Sequence, residues 1–151
     1  MRGGFAVIFY LLDQATKFCV LKSIPYGASI PVIPNFFYLV HVRNTGAAFG
    51  IFQDSNWFFI ILAVIAVFIL GLLFYRHVFP TPASRLAAGL LLAGILGNLT
   101  DRLVHGSVVD FLDFILPWYG HWPAFNIADS CICIAAAIFI CGSFLESRRR
   151  V

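Results

Sequence analysis

Residues Trp57 to Tyr75 read WFFIILAVIAVFILGLLFY, with no charge between the two ends. A helix needs roughly 20 mainly apolar residues to cross the hydrocarbon core of a bilayer, and this stretch meets that length. That one run sets the solvent in which the rest of the chain is read.

Outward from it the sequence keeps the same character. Of 151 residues, 61% are hydrophobic and 11% charged, with a mean hydropathy of +0.92. A water-soluble domain is nearer half apolar and a quarter charged. Three further apolar runs bring the expected spans to about 5–22, 57–75, 86–104 and 124–145, within one integral-membrane domain over 1–151. The expected fold is therefore an all-α membrane protein with four transmembrane helices. Between the first and second, Ser23–Asn56 differs in kind. It holds Pro25, Pro31, Pro34, Gly27, Gly46 and Gly50 around the β-favouring stretches Ile30–Ile33 and Phe36–Val42. This predicts a small extramembrane β-rich element, with Tyr26, Phe36, Phe37, Tyr38, Phe49 and Phe52 suited to an interfacial position. Gly106–Pro123 reads as a second extramembrane loop.

Arg2 and Phe5–Leu12 resemble the start of a cleavable leader, yet no small-x-small cleavage site follows before Lys17 and Lys22, so the segment is read as a retained span. With the N-terminus inside, one face receives Arg2, Arg76, Arg85 and the tail residues Arg148, Arg149 and Arg150. The other keeps Lys22, Arg43 and Arg102. The positive-inside bias predicts both termini in the cytoplasm and the polar loops on the outer side. The net charge of +3 is small, and no basic patch interleaved with aromatics suggests a nucleic-acid partner. Cys19, Cys131, Cys133 and Cys141 all lie in apolar runs without a CxxC spacing, which predicts buried free thiols.

Ionisable groups within spans are expensive and tend to mark function or to pair with one another. Here they are unevenly placed. The second span has none, while the others share Asp13, Lys17, Asp101, Arg102 and Asp129. Asp13 and Lys17 are four residues apart, the favourable order for a helical ion pair. Asn98, Asp101 and Arg102 share a face of the third span, and Asn126, Asp129 and Ser130 repeat that spacing in the fourth. Taken singly, each face fits charge neutralisation or polar helix packing. Three such faces on three helices point to one enclosed polar site.

Depth narrows it further. Asp110 falls just beyond the outer end of the third span, and Asp129 lies within about 8 Å of the start of the fourth, at roughly 1.5 Å per residue. The two can share a level. Close carboxylates share one proton, so one can act on water as base while the other donates to a carbonyl, a route needing neither metal nor covalent intermediate. Asp113 competes for the same role and is expected to face solvent. His41, His77, His105 and His121 are too scattered for a ligand set, so no metal and no other cofactor is expected. No GxSxG motif supports a serine nucleophile.

The segments Asp13-Gln14-Ala15-Thr16-Lys17, Asn44-Thr45-Gly46-Ala47-Ala48-Phe49, Gly97-Asn98-Leu99-Thr100-Asp101-Arg102, Val108-Val109-Asp110-Phe111 and Phe125-Asn126-Ile127-Ala128-Asp129-Ser130 occur in this order. Together they resemble the motifs of lipoprotein signal peptidase, also called signal peptidase II. Thr100 stands where a bulkier apolar residue is expected. The resemblance implies an aspartyl endopeptidase of the bacterial inner membrane. Its substrate would be a diacylglyceryl-modified prolipoprotein, cut before the lipidated cysteine at a site facing outward. It also implies Asp110 and Asp129 as the catalytic pair. Asp13, Lys17, Asn44, Gly46, Asn98, Asp101, Arg102, Asn126 and Ala128 would form the supporting and substrate-binding shell. Membrane lipid and globomycin-type lipopeptide inhibitors are the further expected partners, and a monomer suffices. Within that frame, Arg102 is expected to be oriented by Asp101, and Asn44 and Asn126 to grip an extended substrate backbone. A small transporter would instead favour internal repeats, which the two halves of the chain lack.

Overall fold

The computed structural model describes residues 4–46 and 52–149, with side chains as far as residue 144. Arg2, Ala47, Ala48, Phe49, Gly50 and Arg150 lie outside the described residues, as do the side chains of Arg148 and Arg149. The element order is α1 (Gly4–Ser23), β1 (Ser29–Ile33), β2 (Phe37–Asn44), α2 (Asn56–Tyr75), α3 (Pro82–His105), β3 (Val108–Leu116), β4 (Gly120–His121) and α4 (Ile127–Arg149). Among the described residues, four helices are long and apolar enough to cross a membrane.

α3 is the central helix and packs against each of the other three. It begins on a capping box, with Thr81 accepting from the Ser84 N–H and Pro82 in the first turn. It ends at Gly106, whose φ of 72° is the left-handed cap that glycine adopts freely. Its buried face is built from small residues, including Ala87, Ala88, Ala93, Gly94 and Gly97. Small side chains let helix backbones approach where lipid gives no hydrophobic drive to associate. At Gly94 an added Cβ would run into the Ala128 carbonyl oxygen of α4, so that contact requires glycine.

The outer helices are inverted relative to soluble ones. In α1 the buried residues are Asp13, Lys17 and Val20, while Phe5, Ile8 and Phe18 point outward. In α2 only Ile60 and Leu70 are buried, and Phe68 is 72% exposed. Apolar surface of this extent is stable only against lipid. The cysteines follow the same logic. Cys131 is buried, but Cys19, Cys133 and Cys141 lie on the exposed helix surface, contrary to the expectation that all four are buried. Apolar sequence context does not distinguish a protein interior from a bilayer.

The β element is larger than its sequence suggests. β1 and β2 form the antiparallel hairpin expected between the first two helices. The second loop then contributes β3 and β4, giving one antiparallel sheet in the order β1-β2-β3-β4. β3 reads VVDFLDFIL, neither strictly alternating nor uniformly apolar, so its strand character depends on the partner it finds. That partner is β2, in a register that sets Val42 opposite Asp110 and Asn44 opposite Val108, with an irregularity between Leu39 and Val42. The sheet is anchored to α1 by a cluster of Val20, Ile24, Val109 and Phe111. His41 of β2 adds a 2.8 Å hydrogen bond from its Nδ1 to the Ile24 carbonyl just past the end of α1.

Candidate active site

Lys17 is the centre of charge within the bundle. Its Nζ lies 2.9 Å from Asp13 Oδ2 and 3.0 Å from Asp101 Oδ2, and it donates to Asn98 Oδ1 at 3.1 Å. All three charged groups are almost fully buried. Such a cluster is tolerable only if its remaining lone pairs are satisfied. Here they are. Asp13 Oδ1 accepts from the Ala128 N–H at 2.8 Å, and Asp101 Oδ2 accepts from the Val109 N–H at 3.0 Å. The Gln14 amide donates to Asp13, to Asp101 and to the Gly97 carbonyl. The charge cluster thereby fixes two backbone positions, the first turn of α4 and the start of β3, and each precedes one of the candidate aspartates by a single residue.

Asn126 joins those aspartates. It is fully buried, and its Nδ2 donates to Asp110 Oδ1 at 2.8 Å. Its Oδ1 accepts from the Asp129 N–H at 2.9 Å, while Asp129 Oδ2 accepts from the Asn126 N–H at 3.4 Å. This is a capping box, so the start of α4 sets the placement of Asp129. Asp129 Oδ1 also accepts from Asn98 Nδ2 at 2.7 Å, and Asp110 Oδ2 accepts from Asn44 Nδ2 at 3.1 Å. A chain of contacts therefore runs from Lys17 through Asn98 to Asp129, then through Asn126 to Asp110 and Asn44.

Asp110 is 2% exposed, and its carboxyl is pushed up to about 7, first by burial and then by the negative charge of Asp129. The N–H donors of Asn44 and Asn126, with the more distant Lys17, pull in the opposite direction without cancelling the rise. A group that exchanges its proton near neutral pH is suited to acid–base work.

A cavity of about 570 Å³ opens beside the pair. Its lining includes the polar residues Asn44, Asn98, Arg102 and Asp129, with Gly46, and the apolar residues Trp122, Phe125, Ile132 and Ile134. Asp110 is joined to this lining through its hydrogen bond from Asn44. The surface can take a peptide backbone and a hydrocarbon chain together.

The structure brings together all the residues proposed from the motifs but changes several of their partners. Arg102 is not oriented by Asp101, whose carboxylate is committed to Lys17 and Val109. Its guanidinium donates instead to the Gly46 carbonyl at 2.8 Å and to Asn56 Oδ1 at 3.3 Å, and it lies 4.5 Å from the Phe59 ring centroid. Asn56 and Phe59 belong to α2, the helix without charges, so α2 reaches the site through Arg102. The amides of Asn126 and Asn44 are spent on Asp110 rather than held free for substrate. Asp113 does not face solvent. It is 7% exposed and pairs with His121 of β4 at 2.8 Å, three residues along the strand and on the opposite face from Asp110. Pairing with His121 allows burial, and β4 is not visible in the local pattern.

Gln14, Gly97 and Asn56 were not proposed from sequence. A Cβ on Gly97 would come 2.5 Å from Asp13 Oδ2 and 3.1 Å from Ala128 Cβ. A glycine adjoining a polar motif inside a span was the available signal. Thr100 also gains a reason, since its hydroxyl lies 3.2 Å from the Tyr10 hydroxyl across the α1–α3 contact.

Comparison with known proteins gives the family of the chain. The family described as signal peptidase (SPase) II matches residues 5–145. The chain belongs to the signal peptidase II family. Lipoprotein signal peptidase of Syntrophotalea carbinolica is 43% identical, covering 95% of this chain and 91% of its own. The enzyme of the same name from Ralstonia nicotianae is 46% identical, covering 97% of this chain and 85% of its own. Among solved structures, one bacterial membrane enzyme superposes with a TM-score of 0.90 at 35% identity, covering 97% of this chain and 89% of its own. Another superposes with a TM-score of 0.81 at 37% identity, covering 91% and 88%. This signal peptidase II family member is thus a multi-pass membrane peptidase.

Proposed function

We propose that this family member is an aspartic endopeptidase that removes the signal peptide from diacylglyceryl-modified prolipoproteins, cutting before the lipidated cysteine. Asp110 and Asp129 form the catalytic pair. Asp13, Lys17, Asn44, Gly46, Asn98, Asp101, Arg102, Asn126 and Ala128 support it or contact substrate. The observation that carries the reading is that Asn126 donates its side-chain amide to Asp110 and its backbone N–H to Asp129, beside a cavity lined by both polar and apolar residues.

The chemistry is hydrolysis by a shared proton. One carboxylate takes a proton from water as the water oxygen bonds to the scissile carbonyl carbon. The other gives its proton to the carbonyl oxygen. Collapse of the tetrahedral diol breaks the C–N bond; the departing amine takes the proton held by one carboxyl while a diol hydroxyl returns its proton to the other, so that the pair again holds one proton. Arg102, held to Gly46 and α2, keeps its charge beside the cavity without leaving it to lipid. The apolar part of the lining suits the diacylglyceryl chains and would equally admit a globomycin-type lipopeptide. The single domain over 1–151 works as a monomer in the bacterial inner membrane, with both termini cytoplasmic and the site toward the outer face. The distribution of basic residues supports that orientation.

The test is cleavage of a diacylglyceryl-modified prolipoprotein by the purified protein in detergent. Wild type is expected to cut before the modified cysteine. Asp110→Asn and Asp129→Asn, each folded, are expected to lose at least about a hundredfold in rate, the lower range for loss of a general acid or base. Wild-type rates in either variant would remove that residue from the pair.

A further inference from the structure

At the end of the bundle opposite the sheet, α1 and α2 both pack on α3, and a groove of about 520 Å³ lies among the three. Phe5 and Val7 of α1 and Phe74 of α2 form its walls, and Gly89 of α3 part of its floor. The lining is apolar apart from two groups. One is the Tyr10 hydroxyl, already engaged with Thr100. The other is Arg85, which is exposed at the mouth. Its guanidinium has no hydrogen-bond or ion-pair partner among the described residues.

We propose that this groove holds an acyl chain of an anionic glycerophospholipid whose phosphate rests on Arg85. Three observations select that occupant. The first is length. The floor of α3 from Arg85 to Leu96 rises roughly 16 Å at 1.5 Å per residue, which matches the depth of one leaflet, about half of a 30 Å hydrocarbon core. The second is shape. Gly89 leaves the floor low, since a Cβ there would meet only Ala6 Cβ, at 3.9 Å. The groove's volume of about 520 Å³, spread over that length of roughly 16 Å, averages about 30 Å² in section, which suits an extended chain and falls short of a helix about 10 Å across. The third is charge. Arg85 at the mouth, with Arg76 just past the end of α2 on the same side, attracts phosphate. It repels the basic start of a signal peptide, the other hydrophobic segment that a signal peptidase meets. The lipid is therefore distinct from the substrate and lies at the opposite end of the bundle from Asp129.

The inference rests on the helices spanning a membrane and not on the peptidase activity. It is tested by native mass spectrometry of the full chain released from detergent micelles. The micelles are doped with phosphatidylglycerol or with phosphatidylcholine of the same acyl composition. Wild type is expected to retain one phosphatidylglycerol in preference to phosphatidylcholine. Arg85→Ala is expected to lower that retention about fivefold, the worth of one basic residue at an anionic surface, and Arg85→Lys to preserve most of it. Gly89→Leu fills the floor and is expected to remove retention of both lipids, while both variants still cleave prolipoprotein. Equal retention of the two lipids, or wild-type retention in Arg85→Ala and Gly89→Leu, would overturn the proposal. So would displacement of the bound lipid by a signal peptide with a basic N-terminus, which would make the groove a peptide site. Lipid retention in a protein that cuts nothing would leave this inference standing and remove the peptidase reading alone.

Discussion

Replacing Asp110 with asparagine should make the protein inactive and, above neutral pH, comparatively more stable. The carboxyl of Asp110 goes from 3.8 in its ordinary state to about 7 in the fold. A raised carboxyl binds its proton more tightly in the folded state than in the unfolded one. Stability from this group is therefore highest below pH 3.8, falls as pH rises toward 7, and is level above that. The slope is about 1.4 kcal/mol per pH unit, so wild type loses roughly 3 kcal/mol between pH 5 and pH 7 from Asp110 alone. Asp110→Asn lacks that slope. It carries a separate, pH-independent cost of about 1 kcal/mol, because its own amide faces the N–H donors of Asn44 and Asn126 where a carboxylate accepted from both. The measurement is denaturant unfolding of both proteins in the same micelles at pH 5 and pH 8. The stability difference between them should move toward the variant by about 3 kcal/mol across that interval. Parallel stabilities at the two pH values would mean that Asp110 titrates alike folded and unfolded, and the case for a proton shared at this site would fail. A loss of function accompanied by a gain in stability is the usual signature of a strained functional group.

Other perturbations separate the parts of the site. Lys17→Met leaves Asp13 and Asp101 buried without their cation, and should cost about 3–5 kcal/mol in the same unfolding assay; a loss below 1 kcal/mol would show that the cluster is not held by charge. Gly97→Ala pushes a methyl group against Asp13 and Ala128, and should cost about 1–3 kcal/mol. Its cleavage rate should fall with it, since Ala128 adjoins Asp129; unchanged stability and rate would refute the close contact. Asp113→Asn should keep the cleavage rate within about threefold of wild type, because its carboxylate pairs with His121 on the face of β3 opposite Asp110. A collapse in its rate would return Asp113 to candidacy for the pair.

The amino-acid sequence alone determined the solvent, the number of helices and the identity of the polar groups. Those depend on composition over about 20 residues and on the cost of charge in lipid, both properties of local sequence. The same local logic put Asp110 and Asp129 at one depth and set Asn126 three residues before Asp129. Tertiary structure decided who bonds to whom. The sheet gained β3 and β4 because strand pairing joins residues distant in sequence, and β3 has no clear period of its own. Asp101 is nearest in sequence to Arg102, but Lys17 approaches it from α1, and Arg102 turns to α2. Asp113 pairs with His121 and is buried on the far face of the strand. Three of the four cysteines face outward because hydropathy cannot tell lipid from protein interior. In a membrane the few polar side chains find one another across helices, so their pairing is set by packing on α3, where small residues let the backbones close.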